Sequence, residues 1–572
     1  MKYPKYIPLW ISLLAILAII FEYGFDQDPV VHRLLLRLYV LAIIGGMASI
    51  AGRYVFIREH PARKMWLIDL LLGVFLALAA AGATGLEYIN FFDSPAFLYF
   101  GVFMVFLREF SALESGRKLE YLNPAQLFVV SYIAIISIGT ILLMLPNATY
   151  AGITLTDALF TSTSAFCITG LIVVDTGAYF TTFGQVVILS LIQLGGLGIM
   201  TFTSFFSYIF TGGSTYGDQL MLKDMTSSDK ITEVFSMVRI IMLFTFIVEA
   251  AGAVFIYLTL DSEIIASVDD RIFFSVFHSV SGFCNAGFTT MTDSLYNTAF
   301  RFNYSMHLVF AFLFIVGGLG FPLVYNLFRY LRHYLLNRIL KTRAMHVPWV
   351  ISINTRIVMI TTLVLLAGGT FFFFILESEN TLAPHEGAGK VITAFFGAAT
   401  PRSAGFNTVD TSALMLPTLM IVMLLMWIGA GPGSTGAGIK VTTFAVAVMN
   451  IVSISRGKDR IEVFGREISN SSVRRAFAVI LLSFLMIGVS TFLIASIEGD
   501  KELLPVAFEC FSAYSTTGLS MGITGDLDGI SKLIITFNMF TGRIGMLVVI
   551  LALLRKVKHL NYRYPEENIL IN

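Results

Sequence analysis

Four short stretches centre on a glycine and hold almost nothing that could act as nucleophile, acid or base: SAFCITGLIV (164–173), SGFCNAGFTT (281–290), ATPRSAGFNT (399–408) and SAYSTTGLSM (512–521). Their glycines, Gly170, Gly287, Gly405 and Gly518, are spaced 117, 118 and 113 apart, too regular for chance even in a chain with 47 glycines. The chemistry on offer lies in the backbone. A cation stripped of water needs several oxygens converging on it, and main-chain carbonyls supply them without a fixed charge. A loop that aims successive carbonyls at one axis needs dihedral angles that glycine reaches without steric cost. The expected ion-facing residues are Cys167, Ile168, Thr169 and Gly170; Cys284, Asn285, Ala286 and Gly287; Arg402, Ser403, Ala404 and Gly405; and Ser515, Thr516, Thr517 and Gly518. Small or hydroxyl neighbours let four such loops approach closely. A single glycine of this kind would serve helix packing in a membrane; four in register point to an ion path.

The elements that must hold these loops follow from composition. The chain has 572 residues, 56% hydrophobic and 13% charged, against roughly 45–50% apolar and about 25% charged in soluble domains. Apolar runs near 8–24, 35–57, 65–83, 95–107, 124–147, 183–211, 238–260, 306–328, 353–376, 413–428, 439–454, 476–497 and 530–554 predict about twelve spans, with 413–428 and 439–454 two halves of one. Before each glycine stretch lies a short apolar segment, about 154–166, 271–284, 390–400 and 504–514. At about 1.5 Å per helical residue none crosses a bilayer, so each must enter and turn back. Non-helical backbone at that depth is tolerated where protein buries it or it lines a watery cavity. The expected fold is therefore an all-α polytopic membrane protein: four helix–pore loop–helix repeats around one pseudo-fourfold pore, plus about four additional N-terminal transmembrane helices. Its expected divisions are 1–112 (additional helices), 120–212, 236–330, 350–456 and 474–556 (repeats one to four) and 557–572 (tail).

Charge placement orients the chain. The segments 326–356 and 451–475 and the tail carry Arg329, Arg332, Arg338, Lys341, Arg343, Arg456, Lys458, Arg474 and Lys556, whereas alternate loops carry Asp261, Glu263, Asp269, Asp270, Glu377, Glu379, Glu386, Glu498, Asp500 and Glu502. The positive-inside rule makes the former cytoplasmic. The N-terminal block alternates likewise, with Asp26, Asp28, Glu87 and Asp93 outside and Arg53, Arg58, Arg63, Lys64, Arg117 and Lys118 inside. Both termini then fall in the cytoplasm, and the first apolar run is a retained helix. The outer acids either cap loops in water or enrich cations at an outer mouth. A net charge of +1 makes no case for nucleic acid, and three cysteines without metal-ligand spacing make none for a disulfide framework or metal site. Among eight histidines no cluster or nucleophile motif stands out, so an enzyme is not expected.

Ionisable groups inside apolar segments are costly and usually functional. Arg402 lies three residues before Gly405 and Glu509 nine before Gly518; they are expected to pair and brace the third loop against the fourth pore helix as filter support. GAGPGSTGAG (429–438) interrupts an apolar run with glycines and Pro432, which a helix cannot continue through. Arg543, in the last long run, is expected to face the pathway as an electrostatic barrier. LGGLGI (194–199) and VGGLGF (316–321) lack the setting of a dinucleotide fingerprint and read as close helix packing.

FHSVSGFCNAGF (277–288), TPRSAGFNTVD (400–410), GAGPGSTGAGIKVTTF (429–444), FECFSAYSTTGLSMG (508–522) and TGRIGM (541–546) together resemble the membrane subunit of the Trk/Ktr/HKT superfamily of potassium transporters, over roughly 120–560. The resemblance implies potassium uptake across the plasma membrane (the bacterial inner membrane), through a selectivity filter of four non-identical re-entrant loops. It also implies a homodimer among membrane lipid and a cytoplasmic nucleotide-binding regulatory subunit. It makes the break in repeat three a gate, with Gly429, Gly431, Gly433, Ser434, Thr435, Gly436, Gly438, Lys440 and Arg543 as gate residues. Glycine in the first loop accompanies potassium preference in that family, so Gly170 argues for K+ as the bound and transported ion. The alternative is a sodium- or proton-coupled potassium symporter or a sodium-permeable transporter. Residues 1–112 exceed what such a transporter needs; RKMWLIDLLLGVF (63–75), with Asp69, is similar to the third helix of voltage sensors, yet 95–107 lacks spaced arginines. Packing or assembly is the expected role.

Overall fold

The computed structural model describes residues 7–56, 63–82, 94–111, 124–198, 234–261, 263–340 and 351–554, with Pro565 and Glu567. The end of the run 183–211, the charges Arg58, Glu87, Asp93, Arg117, Lys118, Lys341 and Arg343, and the rest of the tail 557–572 lie outside the described residues.

The N-terminal block forms α1 (Ile7–Gly24), α2 (Pro29–Phe56), α3 (Arg63–Gly82) and α4 (Pro95–Ser111). They pack around an apolar core of their own that includes Tyr39, Ile43, Leu76, Leu98 and Val102. Two polar knots tie the helices together. Arg108 donates to both oxygens of Asp69, from Nε at 2.8 Å and Nη2 at 3.0 Å, and Tyr54 donates to the same carboxylate. Glu22 meets His32 and the Tyr39 hydroxyl, each at 2.6 Å. Arg108 sits in the last turn of α4, its charge matched inside the bundle. The block leans on the next unit where Tyr23 stacks on Phe183 and Asn147 donates to Asp26.

Four units of similar plan follow. The first has α5 (Pro124–Leu143), short α6 (Leu155–Phe166), a single turn α7 (Thr176–Tyr179) and α8 (Thr182–Leu197). The second has α9 (Val234–Thr259), α10 (Val268–Phe283), α11 (Tyr304–Leu319) and α12 (Phe321–Leu340). The third has α13 (Ile353–Glu377), α14 (Ala388–Ala399), α15 (Leu416–Trp427) and α16 (Val441–Ser455). After a small hairpin, β1 (Glu462–Val463) against β2 (Arg466–Glu467), the fourth has α17 (Asn470–Ile497), α18 (Leu503–Ser515), α19 (Gly529–Ile544) and α20 (Met546–Leu553). The entering helices α6, α10, α14 and α18 have 12, 16, 12 and 13 residues, so at about 1.5 Å per residue none spans the ~30 Å apolar layer.

In every unit the end of the first long helix fastens the N-cap of the second, with three kinds of group among the four. The Thr181 hydroxyl donates to the Asn147 carbonyl at 2.6 Å, and the Asn303 amide to the Thr259 carbonyl at 2.9 Å. The Met415 N–H donates to Glu377 at 2.9 Å and the Asp528 N–H to Glu498 at 2.7 Å. These N–H groups are among those a helix start leaves without an intrahelical partner.

The second helices depart from the sequence reading, which expected a break only in the third unit. The α11–α12 pair bends by 97° at Gly320 and the α19–α20 pair by 92° at Gly545. Gly198, Gly320 and Gly545 share φ of 74°, 98° and 89° with ψ of 131°, 136° and 123°, a backbone state that side chains bar to other residues. Six helices among the described residues are long and apolar enough to cross a membrane, eight if each bent pair is one span.

Because the N-terminal bundle has its own core, its stability is separable. Asp69→Ala strips the buried Arg108 of its carboxylate and should cost that bundle about 3–5 kcal/mol. In detergent, early proteolysis confined to residues before 124 with an unchanged main unfolding transition is expected; unaltered protease resistance would contradict the brace.

Candidate functional site

The four entering helices end at Phe166, Phe283, Ala399 and Ser515, and the glycine stretches begin there. The loops share one dihedral pattern. Ile168, Asn285, Ser403 and Thr516, each two residues before its glycine, have φ of 59°, 61°, 74° and 48°, and Gly170, Gly287, Gly405 and Gly518 have φ of 88°, 71°, 81° and 91°. Left-handed backbone costs a non-glycine residue about 1–3 kcal/mol and persists where the surroundings impose it.

The loops close on one another in a ring. A Cβ added to Gly170 would lie 2.5 Å from the Ala286 carbonyl oxygen, and one on Gly287 would lie 3.0 Å from that of Ala404. On Gly405 it would strike the Thr517 oxygen, and on Gly518 that of Thr169. Each loop thus rests the carbonyl before its own glycine on the glycine of the loop preceding it around the ring, in the order one, two, three, four and back to one. Two side-chain bonds join loops three and four: Ser403 donates to the Thr516 carbonyl at 3.0 Å and Thr517 to that of Pro401 at 3.2 Å.

Hydroxyls at the ends of the entering helices hold each loop from behind. Ser164 donates to the Leu171 carbonyl at 2.7 Å, Ser281 to that of Phe288 at 2.7 Å and Thr400 to that of Phe406 at 2.6 Å, while Ser512 accepts from the Gly518 N–H at 3.1 Å. The sequence reading missed these clamps, although their fixed offset, six residues before the glycine or five at Thr400, was there to be seen. It also missed Glu249 of α9, buried where Gln193 donates to it at 3.2 Å and the Cys284 thiol approaches at 3.8 Å.

The ring brings the predicted backbones together, but one side-chain expectation fails. Arg402 and Glu509 do not pair. Arg402 turns away from the ring to Thr362 at 3.3 Å and the Gly429 carbonyl at 3.5 Å. Glu509 accepts from Ser520 at 2.5 Å, the Met521 N–H at 3.1 Å and Thr524 at 2.9 Å. Three bonds from the strand leaving its own loop hold this carboxylate, and the Arg402 guanidinium lies elsewhere. Cys167 and Cys284 cap α6 and α10, and the Cys284 thiol points behind the loop.

Outside the ring a vestibule of about 600 Å³ opens onto Gly170, Gly287, Gly405 and Gly518, with Asp175, Asp293 and Asp410 on its walls. On the opposite side the break in the third unit packs against the loops. Gly431 donates to the Gly318 carbonyl at 2.8 Å, Phe321 to that of Gly433 at 2.9 Å and Ala437 to the Ser403 hydroxyl at 3.1 Å. Ser434 folds back onto the Gly431 carbonyl at 2.6 Å, and Gly429 and Gly438 lie together where the Gly429 N–H meets Ile439. Thr435, fully buried, donates to the Phe283 carbonyl at 3.3 Å and lies the same distance from the Asn285 side-chain oxygen. Arg543 holds this segment: its Nη1 donates to the Thr435 carbonyl and its Nη2 to that of Gly195 at 2.6 Å, while Lys440 donates to the Gly436 carbonyl at 2.7 Å. The arrangement is a ring of carbonyls with an acidic bowl on one side and a tethered, glycine-rich segment on the other.

Comparison with known proteins adds four findings. Residues 94–561 match the sequence model of the TrkH family, described as a cation transport protein. The chain is 36% identical over 461 residues to Ktr system potassium uptake protein B of Bacillus subtilis (strain 168), covering 80% of this chain and 99% of that protein. It is 33% identical over 463 residues to the potassium/sodium uptake protein NtpJ of Enterococcus hirae, covering 80% and 98%. The crystal structure of the potassium transporter TrkH from Vibrio parahaemolyticus superposes with a TM-score of 0.60 at 16% identity, over 91% of this chain and 97% of that one.

Glycines of the second helices seat the ends of the entering helices: a Cβ on Gly195, Gly317 or Gly542 would strike the carbonyl oxygen of Phe166, Phe283 or Tyr514. Gly195→Ala should lower stability by about 1–3 kcal/mol through overpacking. Gly488→Ala, in an open position of α17, should be neutral or gain up to about 1 kcal/mol. Equal shifts of the two in thermal unfolding would refute the close seat.

Proposed function

Because the chain belongs to the TrkH family of cation transport proteins, we propose that it takes up potassium across the plasma membrane through the four-loop ring, which serves as its selectivity filter. The observation that carries this reading is the closed ring of carbonyls, each set on the next loop's glycine. Oxygens of the residues leading to Gly170, Gly287, Gly405 and Gly518 replace the water that a dehydrated ion leaves behind. The entering helices present their C-terminal, partially negative ends to the ring, which favours a cation there. Asp175, Asp293 and Asp410 raise cation concentration in the bowl. The names of the similar Ktr proteins and glycine at position 170 support potassium as the transported ion.

The segment from Gly429 to Lys440 acts as the gate. Conduction requires Thr435 to leave the underside of the ring, which breaks its bond from Arg543 and frees that cation, at the inner entrance, to tune ion passage. We further read the chain as a homodimer in membrane lipid, in the bacterial inner membrane, with both termini in the cytoplasm. A nucleotide-binding regulatory subunit docks on its cytoplasmic face, and residues 1–112 are an addition to the four repeats. A sodium-permeable or sodium-coupled mode is the second reading, favoured by the likeness to a protein named for potassium and sodium uptake.

Growth of a potassium-uptake-deficient strain on limiting potassium tests the first reading. The wild-type chain should restore growth, and Gly170→Ser, whose Cβ meets the Ala286 carbonyl, should lose about tenfold of the preference for K+ over Na+. A wild-type chain that prefers sodium would overturn the substrate. Uptake that changes with the sodium gradient at a fixed potassium gradient would select the second reading.

Deletion of residues 432–437 removes the plug and should raise potassium flux severalfold. Unchanged flux at equal membrane abundance would sink the gate.

A further inference from the structure

Hydroxyls hold loops one to three by the carbonyl just after the glycine and loop four by the N–H of the glycine itself, but farther out, three residues after the glycine, the loops differ. Nine residues before each filter glycine the entering helix presents a different side chain: Thr161, His278, Phe396 and Glu509. Two of these reach across to the strand leaving the filter. His278, fully buried, donates from Nδ1 to the Phe274 carbonyl at 2.8 Å, which leaves Nε2 as an acceptor for the Thr290 N–H at 3.3 Å. Its ring is held among Phe274, Phe277 and Phe310. Glu509, also buried, accepts the Met521 N–H at 3.1 Å and the hydroxyls of Ser520 and Thr524. Thr290 and Met521 are the same position, three residues after the glycine.

The other two make no such bond. The Thr161 hydroxyl is buried without a hydrogen-bond partner among the described residues, being too short to cross the gap that His278 and Glu509 bridge. Phe396 is apolar and packs against His307 and Phe314. Around the ring, loops two and four lie opposite one another, since Gly287 and Gly518 each adjoin Gly170 and Gly405.

We propose that the filter is braced along one diagonal only, with His278 and Glu509 as positioning residues that fix the outer limbs of loops two and four and thereby set its discrimination between potassium and sodium. The inference rests on the filter reading above. A limb fixed through its backbone N–H resists the inward collapse that would fit the smaller ion. The unbraced limbs of loops one and three yield as ions exchange water for carbonyls. The pseudo-fourfold ring is thus mechanically twofold.

The test uses the full chain in membranes, with rubidium and sodium uptake measured at equal inserted protein. His278→Leu and Glu509→Leu should each lower the rubidium-to-sodium ratio about tenfold. Glu509→Gln, which keeps an acceptor for Met521, should hold it within about twofold. Thr161→Val and Phe396→Leu, at the same register on the other diagonal, should leave it unchanged. A merely structural role would lower uptake of both ions together and leave the ratio intact. Equal loss of selectivity on both diagonals, or none on either, overturns the proposal while leaving the filter reading in place; a wild-type chain without selectivity defeats the filter reading itself.

Amide exchange on the wild-type chain reads the same point without a variant. Thr290 and Met521 should exchange at least about tenfold more slowly than Val173 and Thr408, the equivalent positions in loops one and three. Indistinguishable rates would overturn the single-diagonal brace.

Discussion

The structure depends on one steric fact: the carbonyl before each ring glycine sits where a neighbouring side chain would otherwise be. At Gly405 and Gly518 there is no room for even a methyl group beside the oxygens of Thr517 and Thr169. Four loops so joined form a closed set, and a displacement at one is passed to the next. The entering helices must therefore stop at a common depth, and the second helices must come close behind them. Gly195, Gly317 and Gly542 provide that approach, each under the terminal carbonyl region of its own entering helix. The left-handed residues Ile168, Asn285, Ser403 and Thr516 store strain that an isolated loop would release; ring closure and the hydroxyl clamps keep it.

Repetition here is of geometry and not of chemistry. The joint between the first and second long helices is made by a threonine hydroxyl, an asparagine amide and two glutamates in turn. Buried charge is used economically. Glu377, Glu498 and Glu509 accept from backbone N–H groups, and Arg543 donates to backbone carbonyls, so each ionisable group replaces solvation with main-chain partners. Asp69 and Arg108 instead satisfy each other, within a bundle that has its own apolar core. Among the described residues its contacts with the four units include a stacked ring, one amide bond and the meeting of Gly24 with Leu145.

Much of the architecture could be read along the chain. The glycine period, the four entering segments and the break after Trp427 are local signals, because segment length against bilayer thickness and the conformational freedom of glycine act residue by residue. The bends at Gly320 and Gly545 were less legible. A glycine inside an apolar run reads equally as a packing site, and only the path of the neighbouring segment shows that the helix turns there. The contact of Gly320 with the Pro432 carbonyl illustrates this, since it joins residues of different units.

The sequence by itself determined that the chain is a multi-pass membrane protein, that four short helices each lead into a glycine loop and that the third unit is interrupted, because hydrophobic length, period and composition are properties of one strand of chain. Tertiary structure alone decided which groups meet. Arg402 and Glu509 are near ring glycines in sequence yet face different ways, since Arg402 lies in the turn beyond its entering helix and reaches Thr362, while Glu509 lies within its helix and is met by the strand after its own loop. Arg543 meets Thr435 across 108 residues, a pairing that no spacing rule predicts, because the distance between two helices in a closed ring is fixed by the packing of all four.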